Sequence, residues 1–208
     1  MGGVAPNEKI GDTTSCEIAK FVRANTPYYL PNFKKIKENK KSKFNFSAFL
    51  FSGAWFLYRK QYKIGIILTT ILFSLMILSS FIEYSYVVNI LQNLLKAIGV
   101  ANTADLTSEK YSLLFNQIQA LDLSQKLLVL APTIIKIINL IIMIFSGIFA
   151  NKIYLKHCTK TIKKIKEKSI TEKESAEKMQ VLGGINLKIF PFILICYLII
   201  KMFPYINL

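Results

Sequence analysis

Nineteen consecutive residues, Ile64 to Ile82, carry no charge and are rich in Ile, Leu and Phe. A helix of that length rises roughly 28 Å, close to the roughly 30 Å hydrocarbon core of a bilayer, so the run reads as a transmembrane helix. A water-soluble fold would have to cover it on every side. The remaining composition makes that difficult, because 52% of the 208 residues are hydrophobic while the formal net charge is +15. Apolar runs separated by basic blocks reconcile the two, and they predict an all-α integral membrane protein.

The segment before this run is apolar but shorter. Phe44 to Tyr58 is fifteen uncharged, aromatic-rich residues that end at Arg59 and Lys60, with Lys63 close behind. Its helix would rise only about 22 Å, too little to cross, so residues 44–63 are expected to form one short re-entrant or interfacial helix. Residues 1–43 read as a cytoplasmic helical segment. Thr14 followed by Glu17 is a capping-box pattern, with Ile18, Phe21 and Val22 as the apolar stripe behind it. Thr26-Pro27 starts a second helix that Pro31 should bend or shorten, leading into the basic run Lys34 to Lys43. No apolar stretch of signal-peptide type occurs in this segment, so the amino terminus is expected to stay where it is made.

Downstream, residues 83–126 read as an extracytoplasmic helical loop. Val87, Ile90, Leu91, Leu94 and Leu95 recur at helical spacing, Gly99 is a helix stop, and a polar stretch Asn102 to Ser108 leads to Leu113, Leu114 and Ile118. Residues 127–151 form a second span with Lys136 as its one charge. If that span starts at Ile137, Lys136 lies at the outer interface; if it starts at Leu127, Lys136 lies about 15 Å deep and needs a partner. The shallow placement is the less costly. Residues 152–184 read as basic cytoplasmic helices, with Tyr154, Cys158, Ile162 and Ile165 on one face and a second capping box, Thr171 and Glu174, marking a joint near Ser169. After Gly183-Gly184, residues 185–204 form a third crossing, with Lys188 and Lys201 able to snorkel.

Lysines and arginines number 12 in residues 1–63, 3 in residues 83–126 and 10 in residues 151–188. Positive charge stays on the cytoplasmic side, so the first and third blocks share it. About three crossings then leave the amino terminus inside and the carboxyl terminus outside the membrane. The same count disfavours a crossing at Phe44–Tyr58, which would put the nine basic residues before it opposite Arg59, Lys60 and Lys63.

The run FNFSAFLFSGAWFLYRKQY resembles the domain of unknown function 2628 family of small bacterial membrane proteins. Asn45, Ala48, Phe49, Trp55, Tyr58, Arg59 and Lys60 fit its pattern of an Asn-aromatic-small-Ala-Phe run leading to Trp and Tyr-Arg-Lys. Ala150 to Tyr154, the basic helix and Gly183-Gly184 are similar to the family's second half. Phe46, Ser52-Gly53 and Gln61 depart from the commoner Trp, Gly-Pro and Met. The resemblance implies a membrane protein and brings no catalytic residue.

No convergent chemistry is legible in the residues. His157 is the one histidine, Cys16, Cys158 and Cys196 lack metal-ligand spacing, and no phosphate loop or nucleophile motif occurs. The expectation is a non-enzymatic protein without cofactor. Trp55, Tyr58, Arg59, Lys60 and Lys63 form an aromatic–cationic cluster that reads either as an interfacial belt or as a pocket for an anionic lipid headgroup or a partner's acidic segment, with Lys163, Lys164 and Lys166 as a second surface. Nucleic acid is not expected, since basic charge beside a span follows from topology. The favoured reading is a lipid- or protein-interaction platform. The alternative is a small oligomeric transporter or channel built around the half-membrane helix.

Overall fold

Why the first helix begins at residue 15 is visible in the few residues before it. The computed structural model describes residues 4–100 and 105–206. Two short antiparallel strands, β1 (Lys9–Ile10) and β2 (Thr13–Thr14), pair Lys9 with Thr14 and Ile10 with Thr13. Their turn contains Gly11 at φ +70°, a conformation glycine adopts without strain. Thr14 then caps α1 (Ser15–Val22). Its hydroxyl accepts from the Glu17 amide, and the Glu17 carboxylate accepts from the Thr14 amide, which is the reciprocal box expected from the sequence.

The second helix, α2 (Thr26–Lys37), continues past Pro31. The expected shortening does not occur, because Tyr29, Asn32 and Phe33 are all buried on the face that packs inward. Packing of that face overrides the missing hydrogen bond.

Phe44–Tyr58 is two helices rather than one. α3 (Phe46–Phe51) is capped by Asn45, whose side-chain oxygen accepts from the Ala48 amide, and α4 (Gly53–Tyr58) starts anew after Ser52 at φ 39°. The hinge is held from outside the segment. Ser52 shares a hydroxyl hydrogen bond of 2.8 Å with Ser146, and Gly53 lies so near Thr69 that a Cβ there would come within 2.6 Å of its backbone nitrogen.

α5 (Tyr62–Ile82) continues through a π turn at Glu83–Val87 into α6 (Val88–Ala97), and Gly99 at φ +68° follows its end. Residues 101–104, part of the polar stretch noted above, lie outside the described residues. α7 (Ser108–Ala120) leads to α8 (Leu123–Lys168), 46 residues without interruption at Pro132 or at the 151/152 boundary that composition suggests. The chain turns at residues 169–171, and Thr171 caps α9 (Glu172–Leu182); α10 (Ile189–Ile206) follows. Two stretches, Tyr62–Ala97 and Leu123–Lys168, are long and apolar enough to cross a membrane, whereas α10 contributes a shorter apolar run, Ile189–Ile199.

The chain forms two compact units. The first takes residues up to Ile71 and Ile141–Cys196. Its core joins Ile18, Phe21 and Val22 of α1, Tyr29 and Phe33 of α2, Trp55 and Phe56 of α4, and the α8 stripe Tyr154, Cys158, Ile162 and Ile165. Gly183 closes it from the other side: a Cβ there would overlap the Phe21 carbonyl. The second unit takes Leu72–Leu140 and the chain from Tyr197 on. Val87, Val100 and Ile135 are its buried apolar residues among those described, and Lys136 pairs with Glu83 at 3.2 Å, the partner that a deep position of Lys136 would require.

Candidate functional site

The residues singled out by the sequence lie in the first unit, and the structure separates them into three places. The first is the core itself. Arg59 follows the last turn of α4 and is only 5% exposed, yet it has no carboxylate partner among the described residues. One guanidinium nitrogen, Nη1, donates to the Ala24 carbonyl at 3.1 Å, and Nη2 donates to the Tyr29 hydroxyl at 3.1 Å. The guanidinium carbon stands 4.5 Å from the Tyr29 ring centroid, 5.3 Å from Tyr154 and 5.6 Å from Tyr58. Dipoles and π faces therefore hold a buried positive charge that is usually paired with an acid. Burial pushes the Tyr29 phenol above its ordinary range and Arg59 only partly reverses this, so Tyr29 stays protonated. Trp55 is equally internal, its ring set edge-on against Tyr154 and Phe56. Reading Trp55 and Arg59 as headgroup anchors is thereby corrected, since neither side chain reaches the surface.

Beside this cage lies a polar knot. Asn151 is fully buried; it accepts from the Asn45 side chain at 2.9 Å and donates to the Tyr28 hydroxyl at 3.0 Å and the Lys43 carbonyl at 2.9 Å. The Asn45 amide donates to the Gly147 carbonyl at 2.9 Å, fixing the start of α3 on α8. Cys158 is sealed below, its thiol pushed up by burial and so unreactive while the core is closed. Burial also pushes His157 down, which leaves it neutral against Phe21 and Tyr154.

The second place is the end of α9. Lys60 donates to the Val181 carbonyl at 2.8 Å, and Arg23 reaches the Gln180 carbonyl at 3.4 Å, so two cations meet the carbonyl end of that helix. Tyr58 is half-buried against the Phe190 ring, and Lys63 is exposed at the start of α5.

The third place is a groove of about 530 Å³ between the hairpin, the end of α2 and α8, lined by Lys37, Lys156, Lys160, Lys163 and Lys166 with Thr13, Thr159, Asp12 and Glu167. Lys163 and Lys166 were legible as candidates from the sequence, whereas Lys164 projects elsewhere. Lys156, Lys160 and Lys163 stand at i, i+4 and i+7, a spacing that puts them on one face and would have shown the stripe; Lys37 carries no such signal. Lys166 pairs with Glu17 at 2.6 Å, and that pairing, with the Thr14 amide, holds the Glu17 carboxyl below its usual range against the opposing effect of burial. The other four lysines have no ion-pair partner among the described residues.

Residues 11–160 match the family described as protein of unknown function, DUF2628. The chain belongs to this family. The matched DUF2628 segment runs from the hairpin turn through the arginine cage and the asparagine knot to Lys160 in the groove. No curated protein and no solved structure matches the chain.

Proposed function

We propose that this chain is a non-enzymatic integral protein of the bacterial inner membrane, with its basic helical unit in the cytoplasm as a platform for anionic lipid headgroups. One observation carries this reading. In the two long apolar helices only 11% of the most hydrophobic window is buried, so Ile66, Ile67, Phe145 and Phe149 present bare hydrocarbon outward. Burying such a side chain is worth about 1.5–3 kcal/mol, and lipid supplies the cover that the protein does not.

Local geometry supports an interfacial position for the aromatic segment. Ser52 and Gly53 tie Thr69 of α5 to Ser146 of α8. Lys63 and Lys152 each lie six residues from that tie, about 9 Å along their helices, which gives one basic layer at headgroup level. α3 starts beside Gly147 and ends beside Ser146, with Phe46, Leu50 and Phe51 exposed, which supports a helix lying in the interface and not crossing it. Lys63 and Lys152 thus replace Arg59 as the headgroup contacts.

Alkaline carbonate extraction of native membranes tests the first half: the protein should stay in the pellet, and its release would overturn the membrane reading. For the second half, the detergent-solubilised protein should co-purify with phosphatidylglycerol above its bulk share, and Lys63→Gln with Lys152→Gln should lower that enrichment. Equal lipid content in both would overturn the platform. The transporter alternative has the Glu83–Lys136 pair beside a π turn in its favour. Proteoliposome flux that Glu83→Gln abolishes would establish it.

A further inference from the structure

We infer that the lysine groove is a binding site for a phosphate-dense anion that arrives from the aqueous side. This rests on the cytoplasmic placement proposed above and adds a site distinct from the headgroup layer. Three acidic side chains of this unit are already engaged: Glu8 holds Lys34, Glu174 holds Lys178, and Glu17 holds Lys166, the one groove lysine that is paired. Lys37, Lys156, Lys160 and Lys163 are left without a partner, although they converge from α2 and α8 on one concavity. Only Asp12 and Glu167 line it as acids. Four ammonium groups held together repel one another unless an anion neutralises them.

Two further features fit an anion. Thr13 is 4% exposed, lines the groove, and its hydroxyl makes no hydrogen bond among the described residues. Gly11 leaves room at the hairpin turn for the Lys37 side chain, whose Cε and Nζ would lie 2.9 Å from a Cβ placed there. A hydroxyl donor and several mobile ammonium groups suit phosphate oxygens, which accept several hydrogen bonds each.

Depth selects the source. Measured along α8 from Lys152, Lys160 and Lys163 lie about 12 and 17 Å farther out, whereas the headgroup region adds only about 5–8 Å beyond the hydrocarbon on each side. A glycerophospholipid phosphate reaches Lys156 at best. A soluble anion carrying several phosphates, of polyphosphate or nucleoside-triphosphate type, spans the groove.

The test is calorimetric titration of the full-length protein with inorganic tripolyphosphate, in detergent and then in nanodiscs of phosphatidylcholine or phosphatidylglycerol. The triple variant Lys156→Gln, Lys160→Gln, Lys163→Gln should weaken binding at least tenfold. A control with the same charge loss, Lys40→Gln, Lys41→Gln, Lys164→Gln, should change it less than threefold, and Gly11→Ala, which displaces Lys37, should fall between. Native-state protection of Cys158 in each variant shows that the core is intact. Equal weakening in the triple variant and its control, or no tripolyphosphate binding by the wild type, would overturn the site. Binding that survives in phosphatidylcholine discs but vanishes in phosphatidylglycerol discs would assign the groove to lipid and overturn the aqueous source. Loss of phosphatidylglycerol enrichment in the Lys63, Lys152 variant bears on the platform alone, so the two readings fail separately.

Discussion

Replacing Arg59 with Gln should open the core around Cys158, whatever the lipid. Arg59 makes two charged hydrogen bonds, to the Ala24 carbonyl and the Tyr29 hydroxyl, each worth about 1.5–3 kcal/mol, and its stacking on buried tyrosines adds about 2 kcal/mol. Against this stands the desolvation of the guanidinium, several kcal/mol, which the variant no longer bears. A net loss of about 3 kcal/mol follows, equivalent to roughly a 150-fold rise in the population of open molecules. Arg59→Lys should recover only part of it, because an ammonium keeps the charge but not the planar fork or its stacking.

Cys158 supplies the readout. With Cys16 and Cys196 replaced by Ser, a thiol reagent reaches this fully buried residue only when the core opens, so the labelling rate scales with the opening equilibrium. The Arg59→Gln rate should rise by about two orders of magnitude, equally in phosphatidylcholine and phosphatidylglycerol nanodiscs. Lys60→Gln, which loses one exposed hydrogen bond, should change it less than about fivefold. An Arg59→Gln rate within threefold of wild type, or an increase confined to anionic lipid, would refute the core role and return Arg59 to the headgroups.

Asn151→Ala removes three hydrogen bonds, one buried and two part-buried, and should cost about 3 kcal/mol by the same labelling assay; in a double-mutant cycle with Asn45→Ala the two losses should fall short of additivity by about 1–2 kcal/mol, and strict additivity would mean the pair is not coupled. Gly183→Ala forces a methyl group onto the Phe21 carbonyl and should destabilise the unit by about 2–3 kcal/mol, read as a lower thermal midpoint; an unchanged midpoint would show that α9 can shift away freely. The Glu17–Lys166 pair stabilises through a carboxyl whose pKa is lowered on folding, so its contribution is complete above 4.5 and disappears as pH falls through the lower folded value. Being partly exposed it is worth less than about 1 kcal/mol, and Glu17→Gln should flatten the acid limb of the stability profile by no more than that.

Features set by near neighbours could be read from the sequence. The Thr14–Glu17 and Thr171–Glu174 caps, the buried stripe Tyr154, Cys158, Ile162 and Ile165, and the turn near Ser169 each depend on residues within a few positions of one another. The hairpin escaped because its strands are two residues long and show no alternation. The break at Ser52 escaped because its cause, Ser146 and Thr69, is remote in the chain. Arg59 looked like a surface cation since it stands between Tyr58 and Lys60 after an apolar run; only the tyrosines of α2 and α8 converging on it make a buried guanidinium tenable. Likewise, Lys163 and Lys166 of the lysine groove were visible along α8, while Lys37 joins it only through the fold.

The tie between Asn45 and Asn151 joins residues 106 positions apart, and that between Ser52 and Ser146 joins residues 94 apart. A ribosome adding about 5–20 residues per second needs roughly 5–20 s to make the second half of the Asn45–Asn151 pair. Through that interval Asn45, Ser52 and Arg59 have emerged without their partners on α8, so the first apolar helix is made before the core can close, by chain order alone. A nascent chain arrested before Ala150 should therefore leave its aromatic segment open to proteases and chaperones, and the core should close in a single late step only once the chain has passed Gly183.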